Sequence, residues 1–132
     1  MTRQFSIARR ILVLRAYLLV LRFDYYLAIG NIEGLLKRVS GCRLAKKLDP
    51  AVPVEQFILA IDLACLWYWR SVSCLQRAAA TVSLMRQCGV NAELVIGAQR
   101  MPFKAHAWVE VDKRVVGERS GIPASFAILD RC

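Results

Sequence analysis

The chain contains a single histidine and no Cys-x-x-Cys pair, although it has five cysteines. A four-ligand zinc site needs more histidine or paired cysteine than this, so we expect no metal. A glycine-rich phosphate loop is also missing, and we therefore expect no cofactor. An odd number of thiols without a recognisable secretory signal is typical of a reduced protein, so we expect a cytoplasmic location.

Acidic residues are scarce in comparison with basic ones. The chain has 10 Asp and Glu against 19 Lys and Arg, a formal net charge of +9, and ten of the basic residues precede residue 50. This excess favours an anionic partner such as an acidic peptide or a lipid headgroup. A nucleic acid is not expected, because the basic residues are interleaved with leucines and no recognition motif with exposed aromatic residues is visible.

Long uncharged apolar runs are missing from the N-terminal part. Its longest, AYLLVL at residues 16–21, is far shorter than the roughly 20 residues that a membrane-spanning helix needs. Hydrophobic residues nevertheless make up 57% of the 132 residues. We expect a single domain over residues 1–132, in which the apolar basic segment 1–41 forms one or two helices ending near Gly30 and Gly41. That segment either packs on the protein's own core or docks on a partner protein or a membrane surface.

A second helical region follows residues 42–53, which have the polarity and the prolines of an exposed loop. Pro53 suits the first turn of this helix, and the sequence that comes next, VEQFILAIDLACLWYW, is apolar on nearly every face. We therefore expect the helix to be central, with Asp62 buried and hydrogen-bonded for a structural reason.

The third helical stretch, SVSCLQRAAATVSLMRQCG at residues 71–89, opens on a cysteine. Ser73, followed three residues later by Gln76, fits a capping box, which places Cys74 at the first helical position. We expect Gln76 and Ser83 to face outward and Gly89 to end the helix.

The rest of the chain alternates between apolar and polar residues, as strands do. AELVIGA, KAHAWVEVD and RVVGE follow one another, and residues 112 and 113 are expected to form a hairpin turn. The last stretch, GIPASFAILDRC, is expected to close the core. The predicted fold class is α+β, with N-terminal helices and a cysteine-bearing helix packed on a small antiparallel sheet.

Cys74 and the single histidine, His106, suggest a thiol nucleophile and its base. A helix N-terminus and a neighbouring histidine both favour a thiolate, and the other four cysteines are less well placed. The histidine then needs an acceptor for its second ring nitrogen. Pairing across the hairpin sets position 118 beside the histidine, so Glu118 is the first candidate and Asp112 the second. Glu110 is interpreted as a solvated or cross-strand charge.

Non-catalytic interpretations of the same residues stay open. In a basic amphipathic binding module for a membrane surface or an anionic partner, Cys74 and His106 would only pack. Trp69 and Trp108 either pack in the core or line a substrate groove.

The cysteine helix, CLQRAAA, and the later stretch GVNAELVIGAQRMPFKAHAWVEVDKRVVGE together resemble the lasso-peptide maturation proteases, the leader peptidases of the bacterial transglutaminase-like superfamily. The apolar, arginine-containing N-terminal segment resembles the stand-alone protease form of that family. The resemblance covers nearly the whole chain and implies a papain/transglutaminase-like core, with Cys74 as nucleophile and His106 as base. The family has aspartate where this sequence has Glu118, which is one methylene longer and can still accept the hydrogen bond.

The resemblance also implies a reaction and its partners. Cys74 would attack the bond between leader and core of a ribosomally made precursor, with the backbone N–H of Cys74 and a donor near residues 68–70 stabilising the oxyanion. A leader-recognition protein would deliver the precursor peptide, and an ATP-dependent lasso cyclase would use the freed amine. Acyl transfer of the transglutaminase type stays open, because an amine can take the thioester in place of water.

Overall fold

The computed structural model describes residues 2–44, 54–100, 103–117 and 126–132. Within these ranges four helices precede four strands, so the predicted α+β class is confirmed. The elements are α1 (Thr2–Ala28), α2 (Ile32–Gly41), α3 (Val54–Trp67), α4 (Cys74–Gln87), β1 (Ala92–Arg100), β2 (Phe103–Val111), β3 (Arg114–Val116) and β4 (Ala127–Arg131).

The four strands form one antiparallel sheet in the order β3-β2-β1-β4. The β2–β3 hairpin turns at Asp112 and Lys113, whose φ angles of 51° and 64° are those of a primed two-residue turn. That turn matches the right-handed twist of the strands and pairs Val109 with Val116. The C-terminal stretch was expected to close the core; instead β4 adds to the outer edge of β1, and all five of its side chains are exposed.

Helix α4 lies at the centre of the fold, where the sequence had favoured α3. Its residues 78–85 are all buried, because α1, α2 and α3 pack around it and β1 and β2 cover a further side. The run of alanines at 78–80 makes this possible, since small side chains let neighbouring backbones approach from several directions. Helix α3 is covered on one side only and leaves Leu59, Leu66 and Trp67 exposed.

Helix α1 has two apolar faces that point in different directions. The inner face is buried against α3 and α4 and consists of Leu12, Ala16, Leu19, Val20 and Phe23. The outer face is exposed and carries Ile11, Leu14, Leu18, Leu21 and Tyr25. No helix in the described part of the chain is long and apolar enough to cross a membrane.

Arg86, near the end of α4, joins three separate parts of the chain. Its guanidinium donates to the carbonyl oxygens of Ala92 at 3.0 Å, Val39 at 2.7 Å and Cys132 at 2.7 Å. Hydrogen bonds from a charged donor are stronger than neutral ones, so this side chain fixes α2, β1 and the residue after β4 on one end of α4. The opposite end of α4, at Cys74, faces the candidate site.

Candidate active site

Cys74 is the first residue of α4, as the cap pattern predicts. Ser73 is the N-cap, with φ −73° and ψ 161°, and its hydroxyl accepts a hydrogen bond from the backbone N–H of Gln76. The Cys74 side chain is exposed, whereas the other four cysteines are only partly accessible. Within the described residues, the backbone N–H groups of Cys74 and Leu75 have no acceptor, so two donors and the positive end of the helix dipole lie beside the thiol.

The prediction that Gln76 and Ser83 face outward is wrong. Both are buried, and Gln76 is only 1% exposed. The Gln76 amide does not complete the capping box; its Nε2 donates to the carbonyl oxygen of Val20 in α1 at 2.8 Å. This bond attaches the first turn of α4, and with it Cys74, to the buried side of α1.

Cys74 and His106 line the same cavity, which has a volume of about 280 Å³. The cavity lies where the N-terminus of α4 meets β2, and α3 contributes Ile58 and Ile61 to its wall. Ala107, Trp108 and Val109 of β2 also line it. Its apolar side chains, Ile58 and Ile61 among them, could hold the side chain of a peptide substrate next to the thiol.

His106 is the first of three residues in a row on one face of β2. Its ring stacks on Trp108, with centroids 6.2 Å apart and planes inclined by 23°. Trp108 in turn donates from Nε1 to Oε2 of Glu110 at 2.9 Å. Glu110 is buried, and Arg131 of β4 reaches its other oxygen at 3.2 Å. Of the two interpretations offered for Glu110, the cross-strand charge agrees with the structure and the solvated one does not.

Of the two candidates for the third catalytic group, the structure describes Asp112 but not Glu118. Asp112 lies in the hairpin turn, six residues beyond His106 along an extended strand, which separates the two by about 20 Å. The structure therefore does not bring Asp112 to the histidine. Glu118 lies outside the described residues. The chain leaves β3 at Gly117, which lines the same cavity as His106.

The two tryptophans proposed to bind substrate are in different surroundings. Trp108 is buried and forms part of the cavity wall. Trp69 is 72% exposed, does not line the cavity, and has the Arg70 guanidinium over its ring at 5.3 Å. Nor do the neighbouring residues 68–70 line the cavity, and the Tyr68 hydroxyl donates to Asp24 at 2.6 Å, so a second oxyanion donor is not found there.

Asp62 is exposed rather than buried, contrary to the sequence prediction. Asp62 lies on the side of α3 that faces α4, and it forms an ion pair with Arg77, which lines the cavity.

Burial raises the pKa of the Cys65 thiol above its ordinary value; the Arg77 charge opposes this increase and the Asp62 charge adds to it. Cys65 is therefore a poorer source of thiolate than an unperturbed cysteine. The described residues contain no cluster of three His, Cys, Asp or Glu side chains that could hold a metal.

A family model described as the Transglutaminase-like superfamily matches residues 17–130, which include Cys74, His106, strands β1 to β3 and all of β4 except its last residue. No curated protein and no solved structure matches the chain.

Proposed function

Because the chain belongs to the transglutaminase-like superfamily, a superfamily of cysteine peptidases and acyltransferases, we propose that it is a cysteine peptidase that removes the leader peptide from a lasso-peptide precursor. The observation that carries the proposal is the cavity shared by Cys74, at the start of α4, and His106, the only histidine in the chain. A thiol at a helix N-terminus with an imidazole on the adjoining strand is the arrangement that nucleophilic catalysis requires.

In the proposed reaction, the Cys74 thiolate attacks the carbonyl carbon of the bond between leader and core. The tetrahedral oxyanion accepts hydrogen bonds from the N–H groups at the start of α4, which have no other acceptor in the described structure. His106, as imidazolium, gives its proton to the leaving amine of the core peptide. Water then attacks the thioester, His106 takes a proton from it, and the leader leaves as a carboxylic acid.

Glu118 is retained as the proposed third member of the catalytic group. It follows Gly117, which lines the cavity with His106, and its carboxylate would accept a hydrogen bond from the second ring nitrogen. Trp108 stacks on the imidazole of His106, and Glu110 accepts a hydrogen bond from the indole of Trp108.

The choice of a leader peptide as substrate rests on the sequence resemblance and on charge. The N-terminal segment is basic, which suits delivery of the precursor by an acidic surface. The proposal therefore includes a separate leader-recognition protein, an ATP-dependent lasso cyclase that uses the freed amine, and a cytoplasmic site of action.

Acyl transfer is the second candidate reaction. Part of the cavity wall is apolar, including Ile58, Ile61 and Val109, and an apolar surface beside a thioester limits the access of water to it. Peptidase and transferase differ in the product: the leader ends in a free acid after hydrolysis and in an amide after transfer.

The test is mass spectrometry of a precursor peptide after incubation with the full chain and the recognition protein. The wild type, Cys74→Ala and His106→Ala are compared, with Cys88→Ala as a matched control because Cys88 is partly accessible and lies at the far end of α4. We expect cleavage at one bond by the wild type and Cys88→Ala, and none by the other two. Cleavage by Cys74→Ala would contradict the peptidase proposal, and an amide at the new leader terminus would favour the transferase.

Selective alkylation offers a test that needs no substrate. Cys74 is the exposed thiol of the five, so iodoacetamide is expected to label it first at neutral pH. Labelling that is no faster at Cys74 than at Cys42 or Cys132 would mean that the cavity does not activate the thiol.

A further inference from the structure

The exposed side of α1 carries a regular apolar stripe. Its members follow one another at alternating intervals of three and four residues and are all at least 44% exposed: Ile11, Leu14, Leu18, Leu21 and Tyr25. This 3.5-residue spacing is the pattern of a coiled-coil seam, in which each residue inserts between four residues of a facing helix. We refer to these five residues as the α1 seam. The helix does not need the seam for its own fold, because the opposite face of α1 fills the core.

Both borders of the α1 seam are positively charged. Arg10 lies on one side and Arg22 on the other, and neither has a carboxylate partner among the described residues. Asp24, the one acidic residue of α1, is already bonded to Tyr68 and Arg70. On the other side, Arg22 lines a second cavity of about 380 Å³.

That second cavity adds cations next to the α1 seam. Arg22 of α1 lines it together with Lys37 and Arg38 of α2, and all three side chains are exposed. Within the described part of the chain, none of the three forms an ion pair. Three unpaired cations around one cavity beside an apolar stripe favour carboxylates on the occupant of that stripe.

We propose that the α1 seam binds an amphipathic helix of another protein, with apolar residues at heptad spacing and Glu or Asp at the flanking positions. A second copy of this chain is disfavoured, because two α1 helices would place arginine against arginine in either orientation: Arg10 opposite Arg15 in a parallel pair and Arg15 opposite Arg22 in an antiparallel one. A membrane surface prefers a broad apolar face, whereas the α1 seam is one narrow stripe. The proposal is independent of the peptidase reaction, because the α1 seam does not line the cavity of Cys74.

The test uses synthetic helices of known charge as probes. Two four-heptad peptides with leucine at the seam positions are compared, one with Glu and the other with Lys at the flanking positions. By fluorescence anisotropy, the full chain is expected to bind the Glu peptide at least about tenfold more tightly than the Lys peptide, and less tightly as salt is raised. Equal affinity for the two peptides, or no binding of either, would overturn the proposal.

Matched variants locate the binding site. Leu14→Glu with Leu18→Glu should weaken binding of the Glu peptide by about tenfold or more, since both side chains are more than half exposed and belong to the α1 seam. Leu66→Glu, on the exposed side of α3, is the control and should leave the affinity unchanged. Arg10→Glu with Arg22→Glu should reverse the preference in favour of the Lys peptide. Circular dichroism and Cys74 labelling equal to those of the wild type show that each variant is folded.

Two other outcomes would assign the surface to a different occupant and so overturn the proposal. One is binding to phosphatidylglycerol vesicles, without binding of the Glu peptide, that is lost in the Leu14→Glu, Leu18→Glu variant. The other is sedimentation of the wild type as a dimer at micromolar concentration and of the same variant as a monomer.

Discussion

The indole of Trp108 donates a hydrogen bond from Nε1 to Oε2 of Glu110 across 2.9 Å. The two residues lie two positions apart on β2, so their side chains share one face of the sheet. The other oxygen of Glu110 accepts from Arg131, which also reaches Glu93 at 3.2 Å. Since Trp108 stacks on His106, the Glu110 carboxylate holds the ring against which the candidate base rests.

Replacing Glu110 by glutamine is expected to loosen this arrangement. A neutral amide has one oxygen for two donors, Trp108 and Arg131, and its NH₂ group must face one of them. We expect the free energy of unfolding to fall by about 1–3 kcal/mol, because a donor in a buried site loses its acceptor. Urea titration measures this loss, and the pH profile of Cys74 alkylation should change with it.

Tryptophan fluorescence shows whether the Glu110→Gln substitution changes the surroundings of the Trp108 indole. Trp67 and Trp69 are exposed and can be replaced by phenylalanine, which leaves Trp108 as the one indole. Its emission should then shift to longer wavelength in Glu110→Gln as water reaches the ring. Glu93→Gln is the control, since Glu93 also accepts from Arg131, whereas the indole of Trp108 donates to Glu110. An unchanged emission in Glu110→Gln would show that packing alone holds the indole.

Gly97 on β1 is the position that leaves room for the indole of Trp108. A Cβ at this residue would lie 2.5 Å from Cη2 and 2.7 Å from Cζ3 of Trp108, closer than atoms in contact approach. We expect Gly97→Ala to lower the free energy of unfolding by about 1–3 kcal/mol, because the ring must move away from Glu110 or the strands must separate. Thermal unfolding measures the effect. Gly41→Ala is the matched control, because a Cβ there meets nothing within 4 Å; an equal loss in both variants would refute the explanation.

Local patterns made part of this fold predictable. Ser73 and Gln76 mark the start of α4 because an N-cap needs only a hydroxyl and the N–H three residues later. Alternation along β2 places His106, Trp108 and Glu110 on one face for the same local reason. The turn at Asp112 and Lys113 follows from the two runs it connects, even though neither residue is glycine.

Features that depend on distant parts of the chain were not predictable. The sequence around Gln76 predicts a surface residue. The side chain is buried because it donates a hydrogen bond to the carbonyl oxygen of Val20 in α1, 56 residues away in sequence. Asp62 is exposed although Arg77 of α4 pairs with it, because the packing of α3 on α1 and α4 leaves part of α3 in solvent, and the composition of α3 alone does not predict which part. The ion pair of Glu110 likewise needs β4 at the edge of the sheet, whereas the C-terminal stretch had no visible partner.

The Tyr68 hydroxyl should make the free energy of unfolding fall as the pH rises into the alkaline range. Burial raises the pKa of Tyr68 from 10.0 to about 12, and the hydrogen bond it donates to Asp24 and the charge of Asp24 add to the increase. Because the folded state favours the neutral phenol, the stabilisation is complete below pH 10 and is lost as the pH rises through about 12. The difference in free energy of unfolding between wild type and Tyr68→Phe should therefore shrink between pH 10 and about pH 12.

Urea titration across that pH range measures the difference. At pH 8 Tyr68→Phe should be less stable than the wild type by about 1 kcal/mol, since the bond to Asp24 is lost. Tyr25→Phe is the control, because Tyr25 is exposed on the α1 seam and forms no hydrogen bond among the described residues. A wild-type advantage that stays constant up to about pH 12 would mean that Tyr68 ionises as it does in the unfolded chain.

Gln76 is expected to position Cys74 more than it stabilises the fold. Gln76→Leu keeps most of the side-chain volume and removes the bond to the Val20 carbonyl, which lies within α1 and keeps its helical hydrogen bond. The free energy of unfolding should therefore change by only about 1 kcal/mol. The first turn of α4 loses its attachment to α1, so the rate and the pH profile of Cys74 alkylation should change.

Gln87→Leu provides the comparison within the same helix. Gln87 is exposed and accepts from Arg15 at 2.9 Å at the far end of α4, so the same substitution removes a bond between α1 and α4 without touching the start of the helix. Alkylation of Cys74 should be normal in this variant and altered in Gln76→Leu. If both variants retain the wild-type pH profile, the cap at Ser73 alone sets the position of the thiol. If both alter it, the whole α1–α4 contact, rather than the bond at Gln76, holds Cys74 beside the cavity that it shares with His106.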